Sequence, residues 1–147
     1  MKTFHLDSQT IFTPARLAKS SDHLRKLPSL DDVPLPIGIS MQPEMVATPI
    51  GLISTLRLAR TEPGPLILFV GGNNFFIARS AGFVAQRLAG LGDLLFCDHA
   101  GYGRSEGQAV PGEMVAGVLG VAAHARSLAD REQRPLVVWG ASLGGFL

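Results

Sequence analysis

The sequence predicts an α/β fold, a mostly parallel and doubly wound sheet, and three observations predict it. Residues 66–70, 94–97 and 136–139 are short, continuous apolar runs. Such runs belong to strands covered on both faces, the habit of parallel sheets. Two stretches of helical length with apolar residues at helical spacing lie between them, and glycine- or proline-rich breaks punctuate the joins. The order strand, helix, strand, helix, strand with right-handed crossovers gives an open parallel sheet with helices on both faces.

Taken along the chain, the first element is a short helix from Thr13 to Lys26. Thr13 suits the N-cap and Pro14 the first helical position, and Leu17, Leu24 and Leu27 recur at helical spacing. The proline-rich stretch from Pro28 to Pro49 reads as loop with room for one short strand. Gly51 to Arg60 alternates only roughly and reads as an antiparallel strand. Leu66 to Val70 is the first core strand, entered from a Pro-Gly-Pro turn and broken by Gly71 and Gly72. Phe75 to Ala89 follows as a helix, with Phe76, Ala81, Phe83, Val84 and Leu88 at compatible spacings, and Gly90 and Gly92 end it. Leu94 to Cys97 is the next strand, Glu113 to Asp130 the second helix and Leu136 to Trp139 the third core strand. Residues 1–62 thus form a region of helix, loop and antiparallel strand, and residues 63–147 a βαβαβ unit, within a single domain.

Composition narrows the function classes. The 147 residues carry 13 Lys plus Arg against 12 Asp plus Glu, so neither a basic stripe for nucleic acid nor an acidic tail is present. Hydrophobic residues make up 46% and charged residues 17%, the composition of a domain with a substantial core and not of a disordered chain. No run approaches the 18 apolar residues of a membrane span. His5 and Asp7 interrupt the place where an export signal would need its apolar stretch. The single cysteine, Cys97, forms no internal disulfide and reads as a small packing residue. These features predict a cytoplasmic protein with no nucleic acid and no membrane as partner. No metal is expected, since the four histidines lack ligand spacing. No cofactor is expected either: Gly101-Tyr102-Gly103 lacks the third glycine of a dinucleotide loop, and Gly71-Gly72-Asn73-Asn74 lacks the Gly-Lys-Ser/Thr ending of a P-loop.

The chemistry concentrates at Gly140-Ala141-Ser142-Leu143-Gly144, a G-x-S-x-G sequence directly after the third core strand. A serine on a strained strand-to-helix turn has its hydroxyl pushed out of the sheet, and Gly140 and Gly144 omit the side chains that would collide there. The turn is expected to lead into a helix beginning at Gly145-Phe146-Leu147, with the Leu143 N–H facing a developing oxyanion. The bare pattern is weak; its context after an apolar strand strengthens it. An idle serine on a glycine-rich turn is the competing reading. Trp139 beside the turn reads as core, and His124, in an alanine-rich helix, as a surface or boundary residue.

Three segments together resemble the N-terminal half of an α/β-hydrolase: Leu68 to Phe75 (LFVGGNNF), Cys97 to Gly107 (CDHAGYGRSEG) and the turn around Ser142. The resemblance implies a sheet of α/β-hydrolase type, truncated after the nucleophile-elbow strand, and a serine hydrolase of ester, amide or thioester substrates. It assigns Ser142 as nucleophile and Leu143 and Asn73 as oxyanion donors. Gly71 and Gly72 stand where the family usually carries His-Gly, a departure that leaves the backbone donor of the next residue intact. Asp98, Gly101, Gly103 and Ser105 match the family's D-x-x-G-x-G-x-S loop, which shapes the site and supplies no catalytic acid. The family's triad runs Ser, Asp or Glu, then His along the chain, and only five residues follow Ser142. A full sheet of eight strands with its helices needs roughly 200 residues. The sequence therefore predicts an incomplete hydrolase domain whose acid and histidine lie outside this chain. The alternative is an inactive or partner-dependent half-domain, and His99 or His124 as a substitute base is a remote third possibility.

Overall fold

Backbone pairing sets the frame on which every loop hangs. The computed structural model describes residues 35–145 and Leu147; the helix expected over 13–26 lies outside the described residues. Strands β1 (Ile39–Thr48), β2 (Gly51–Arg60), β3 (Leu66–Val70), β4 (Asp93–Cys97) and β5 (Leu136–Gly140) form one sheet in the order β1-β2-β4-β3-β5. Helix α1 (Ile77–Leu88) joins β3 to β4, and α2 (Pro111–Arg131) joins β4 to β5. A 3₁₀ turn, Ser142–Gly145, follows β5. Strands β3, β4 and β5 are parallel, while β2 runs antiparallel to both β4 and β1. The sheet is therefore mixed, parallel where the apolar runs predict it and antiparallel at the β1–β2 side.

The ten-residue strand β1 corrects the expectation of a loop with one short strand. Its sequence carries no clean alternation because it is an edge strand with most side chains exposed, so no buried face imposes a period of two. Pro43 is tolerated because an edge strand can turn one row of backbone positions to solvent; it sits opposite Leu56. A tight connection pairs Thr48 with Gly51, whose φ of +114° suits glycine, and the Thr48 hydroxyl donates to the Gly51 carbonyl at 2.7 Å.

Strands β3 and β4 bury both faces, whereas β5, expected from its apolar run to be covered likewise, is mostly exposed. Leu66, Leu68 and Val70 of β3 join Leu95 and Cys97 of β4 under α2; Ile67 and Phe69 join Leu94 and Phe96 under α1. On α2 the buried stripe is Met114, Val118, Val121, Ala125 and Ala129, at helical spacing. On α1 it is Ile77, Ala78, Ala81, Gly82 and Ala85. These small residues replace the expected stripe in part: Phe83 points outward, and the Arg87 guanidinium lies 3.6 Å from its ring centroid. Trp139, read as core from the sequence, is 44% exposed because β5 is the other edge of the described sheet. No helix among the described residues is long and apolar enough to cross a membrane.

The entry pole of the parallel strands is held by a buried charge network. Asp93, at the start of β4, is almost fully buried. Its Oδ2 accepts from the guanidiniums of Arg57 and Arg134, each at 3.0 Å, and its Oδ1 from the Arg60 N–H at 3.1 Å. Glu132 pairs with both arginines. Burial alone would raise the Asp93 pKa, but the Arg60 N–H and the two guanidiniums more than offset it and hold the carboxyl below its ordinary 3.8. A depressed folded-state pKa means stability that is complete above about pH 4 and lost as pH falls through the folded value. Asp93→Asn leaves two largely buried guanidiniums short of a counter-charge. It should lower stability by about 3–5 kcal/mol at pH 7 and flatten the decline below pH 4, read by urea denaturation across that range.

Candidate active site

Because β3, β4 and β5 are parallel, their carboxyl ends lie at one pole, where open α/β sheets bind ligands. Three loops leave from it: Gly71–Phe76 after β3, Asp98–Val110 after β4 and the turn at Ala141 after β5. They converge closely. The Ala141 N–H donates to the Val70 carbonyl at 3.0 Å, and a Cβ built on Gly72 would stand 3.2 Å from the Ser142 Cβ and 3.6 Å from its hydroxyl oxygen.

Ser142 is exposed and has φ +53°. A serine held in the left-handed region carries strain that neighbouring contacts must support. The supports are visible on both sides. A Cβ on Gly140 would meet the Gly144 carbonyl oxygen at 2.5 Å, and a Cβ on Gly144 would run into the Val70 carbonyl. Leu143 is buried in the α2-side core and anchors the turn from beneath. The expected helix starting at Gly145 is instead a short 3₁₀ turn that begins at Ser142 itself. Among the described residues no side chain hydrogen-bonds to the Ser142 hydroxyl.

After β3, the Phe75 N–H closes a turn onto the Gly72 carbonyl at 3.0 Å, with Asn73 and Asn74 at its centre. In such a turn the first central N–H, that of Asn73, is not used by the closing bond. Gly71 packs so tightly on Phe75 that a Cβ there has no room. After β4, Asp98 is the hub. Its Oδ1 accepts from the Ile77 N–H at 2.8 Å, which caps α1 from a distant part of the chain; the N-cap residue Phe76 offers no side-chain cap. Gly103, at φ +52°, lies directly against the Asp98 carboxylate, and Gly101 against the backbone of Ala109. The Ser105 hydroxyl donates to the Asp98 carbonyl at 2.8 Å and accepts from the Ser54 N–H at 3.0 Å, which ties the loop to β2.

Two residues of this loop play parts that the sequence reading missed. The Tyr102 hydroxyl donates to the Asn73 side-chain oxygen at 2.6 Å, and His99 Nε2 lies 2.9 Å from the Gly71 carbonyl. A carbonyl only accepts, so His99 carries its proton on Nε2, and burial keeps its pKa below the ordinary 6.5. Nothing in the local sequence marks these bonds, since each joins residues some thirty positions apart. His99 is buried, its Nε2 engaged by the Gly71 carbonyl and its Nδ1 without a hydrogen-bond partner among the described residues, and His124 lies 3.4 Å from Glu44 of β1, at the opposite edge of the sheet. Neither is placed as a base for Ser142. The Cys97 thiol is inert, because burial first and the Asp98 charge second push its pKa up to about 12. A cavity of about 440 Å³, lined by Gly38, Arg60, Thr61 and Ala89 among others, sits away from this pole.

No family model and no curated protein matches the sequence. Solved structures do match. A hypothetical protein from Pseudomonas aeruginosa aligns at TM-score 0.60 and 19% identity, over 73% of this chain and 36% of its own. An esterase of Pyrobaculum calidifontis aligns at 0.58 and 15%, over 90% of this chain and 43% of its own. A thermostable carboxylesterase from a metagenomic library aligns at 0.56 and 17%, over 84% and 43%. The chain has the α/β-hydrolase fold and spans about two fifths of the length of these neighbours.

Asp98 generates a test of the hub. Burial raises its pKa to about 6, against the lowering effect of the Ile77 and Arg104 N–H groups. The folded state then holds a proton that the unfolded chain releases near its ordinary 3.8, so stability falls as pH rises from about 4 to about 6, by on the order of 3 kcal/mol. Asp98→Asn keeps the acceptor for Ile77 and removes the titration. Its stability, followed by denaturation between pH 4 and pH 7, should lack this decline.

Proposed function

We propose that this chain supplies the nucleophile and both oxyanion donors of a serine hydrolase acting on small ester, amide or thioester substrates. The observation that carries the reading is Ser142: an exposed serine at φ +53°, directly beyond a parallel strand, with the Gly72–Asn73 backbone beside it. The esterases among its structural neighbours favour the same class. In the reaction, Ser142 Oγ attacks the acyl carbon while its proton passes to a base. The oxygen that becomes negative accepts from the N–H groups of Leu143 and Asn73, the leaving group departs with a proton, and water then releases the acyl group from the serine. The resemblance puts the triad acid and histidine after the nucleophile in the chain, where the present sequence has only Leu-Gly-Gly-Phe-Leu. In the intact protein, Ser142→Ala should abolish turnover of a short-chain p-nitrophenyl ester, by on the order of 10⁶. Retention of most activity would remove Ser142 from its role.

The unpartnered hydroxyl favours a second reading for the 147 residues taken alone, that of a nearly inert half-domain. Without a base the serine keeps its ordinary high pKa and is a poor nucleophile at neutral pH. Oxyanion donors and binding could leave a rate about 10³ over water. Purified 147-residue chain should show no more than that in the same assay, and triad-like turnover would exclude this reading.

A further inference from the structure

We propose that Tyr102 and His99 are positioning residues that set the Asn73 oxyanion donor by clamping the loop after β3 onto the loop after β4; this rests on the hydrolase reading above. The loop needs such a clamp. It has two glycines at its root, and Asn74 at its tip is exposed, so its own sequence restricts it weakly. Its internal bond, from the Phe75 N–H to the Gly72 carbonyl, fixes the turn but not the turn's distance from Ser142. Two bonds from one neighbouring loop do that. His99 holds the Gly71 carbonyl at 2.9 Å, and Tyr102 holds the Asn73 side chain at 2.6 Å. They grip the loop on either side of Gly72, the residue nearest Ser142.

The clamp is itself packed and bonded in place. Tyr102 is among the most buried large side chains; it stacks on Phe76 at 5.3 Å and meets the His99 ring edge-on at 5.6 Å. Its backbone N–H donates to the His99 carbonyl at 2.9 Å and its carbonyl accepts from Ser105 at 2.8 Å. A rigid ring carrying one hydroxyl to one amide oxygen is a means of aiming the adjacent backbone N–H. An oxyanion donor works only when it is aimed before charge develops, so a loosened Asn73 should cost turnover and leave substrate binding largely untouched.

The test uses the intact protein and the variants Tyr102→Phe, Asn73→Ala and the double variant. Tyr102→Phe keeps the stacked ring and removes only the hydroxyl. Each single variant should lower kcat about tenfold with KM within about twofold, and the double variant should lose no more than either single one, since both delete one bond. Amide hydrogen exchange at residues 71–74 should quicken in Tyr102→Phe while exchange in β3 and α1 stays as in the wild type. Unchanged exchange at 71–74 overturns the clamp, whatever the kinetics. Faster exchange with unchanged kcat, in a protein that Ser142→Ala inactivates, overturns its catalytic purpose. Activity that survives Ser142→Ala overturns the hydrolase reading, and with it the purpose assigned to the clamp.

Discussion

The Asp98 carboxylate, buried at the carboxyl end of β4, is the point on which the active pole depends. One oxygen takes the first N–H of α1, and the other lies against Gly103 and the Arg104 N–H, so one side chain fixes the start of a helix and the shape of a loop. Its backbone is committed as well: the N–H goes to the Ser54 carbonyl and the carbonyl accepts from Ser105. Removing a charge from water is unfavourable, and the raised pKa records that. The arrangement persists because it joins three segments, the start of α1, the loop after β4 and β2, the last two being linked also by bonds between Ser105 and Ser54 and between Glu106 and Leu52. From that junction His99 and Tyr102 reach the loop after β3, whose glycine lies against Ser142. Disturbance at Asp98 would therefore travel to Ser142 through packed backbone.

Strand β4 carries a second buried carboxylate at its other end, and the contrast explains why the two poles behave differently. Asp93 and Asp98 are equally inaccessible, yet the Asp93 pKa is lowered and that of Asp98 raised. Asp98 is set deeper among protein atoms, and the partners differ as well. Asp93 meets two guanidiniums and one N–H, whereas Asp98 meets chiefly backbone dipoles. Full charges compensate desolvation more completely than N–H groups do. The entry pole is thereby a salt-linked base that is insensitive to pH above about 4, and the active pole contains a carboxylate whose charge state changes near pH 6.

Much of this fold is legible in the sequence, and the failures share one cause. The apolar runs of β3 and β4 are read correctly because both faces are packed; β5 is read correctly as a strand, although most of its side chains are exposed and the double coverage expected from its apolar run is not found. Where an element is exposed, the pattern fades: β1 shows no alternation, and Phe83 and Trp139 look like core only because size and apolarity say nothing about which face is covered. The site divides the same way. Gly140 can be read from local geometry, since it meets the backbone of Gly144 and Gly145; Gly144 is legible through its place in the motif, although the backbone it meets is that of Val70 and Gly71 at the end of β3. The bonds that organise the site cannot be read so, since Asp98 to Ile77, Tyr102 to Asn73 and His99 to Gly71 span 21, 29 and 28 residues. Such pairings exist only once the sheet order brings β4 beside β3.

The sheet order also fixes what is exposed next to Ser142. Strand β5 pairs with β3 on one side only, and Val137, Val138 and Trp139 are 41%, 60% and 44% exposed. Their backbone groups on the outer side have no partner strand among the described residues, and no charged residue interrupts the run. An uncharged apolar edge of this kind is a template for another strand. Ser142 stands at the end of that edge, so its strained backbone is supported from one flank, by Val70 and the Leu143 anchor. A strand added along β5 would continue the sheet on the unsupported flank and bring its own carboxyl-end or amino-end loop beside Ser142. The fold thus sets its most open apolar edge directly beside the strained turn of Ser142.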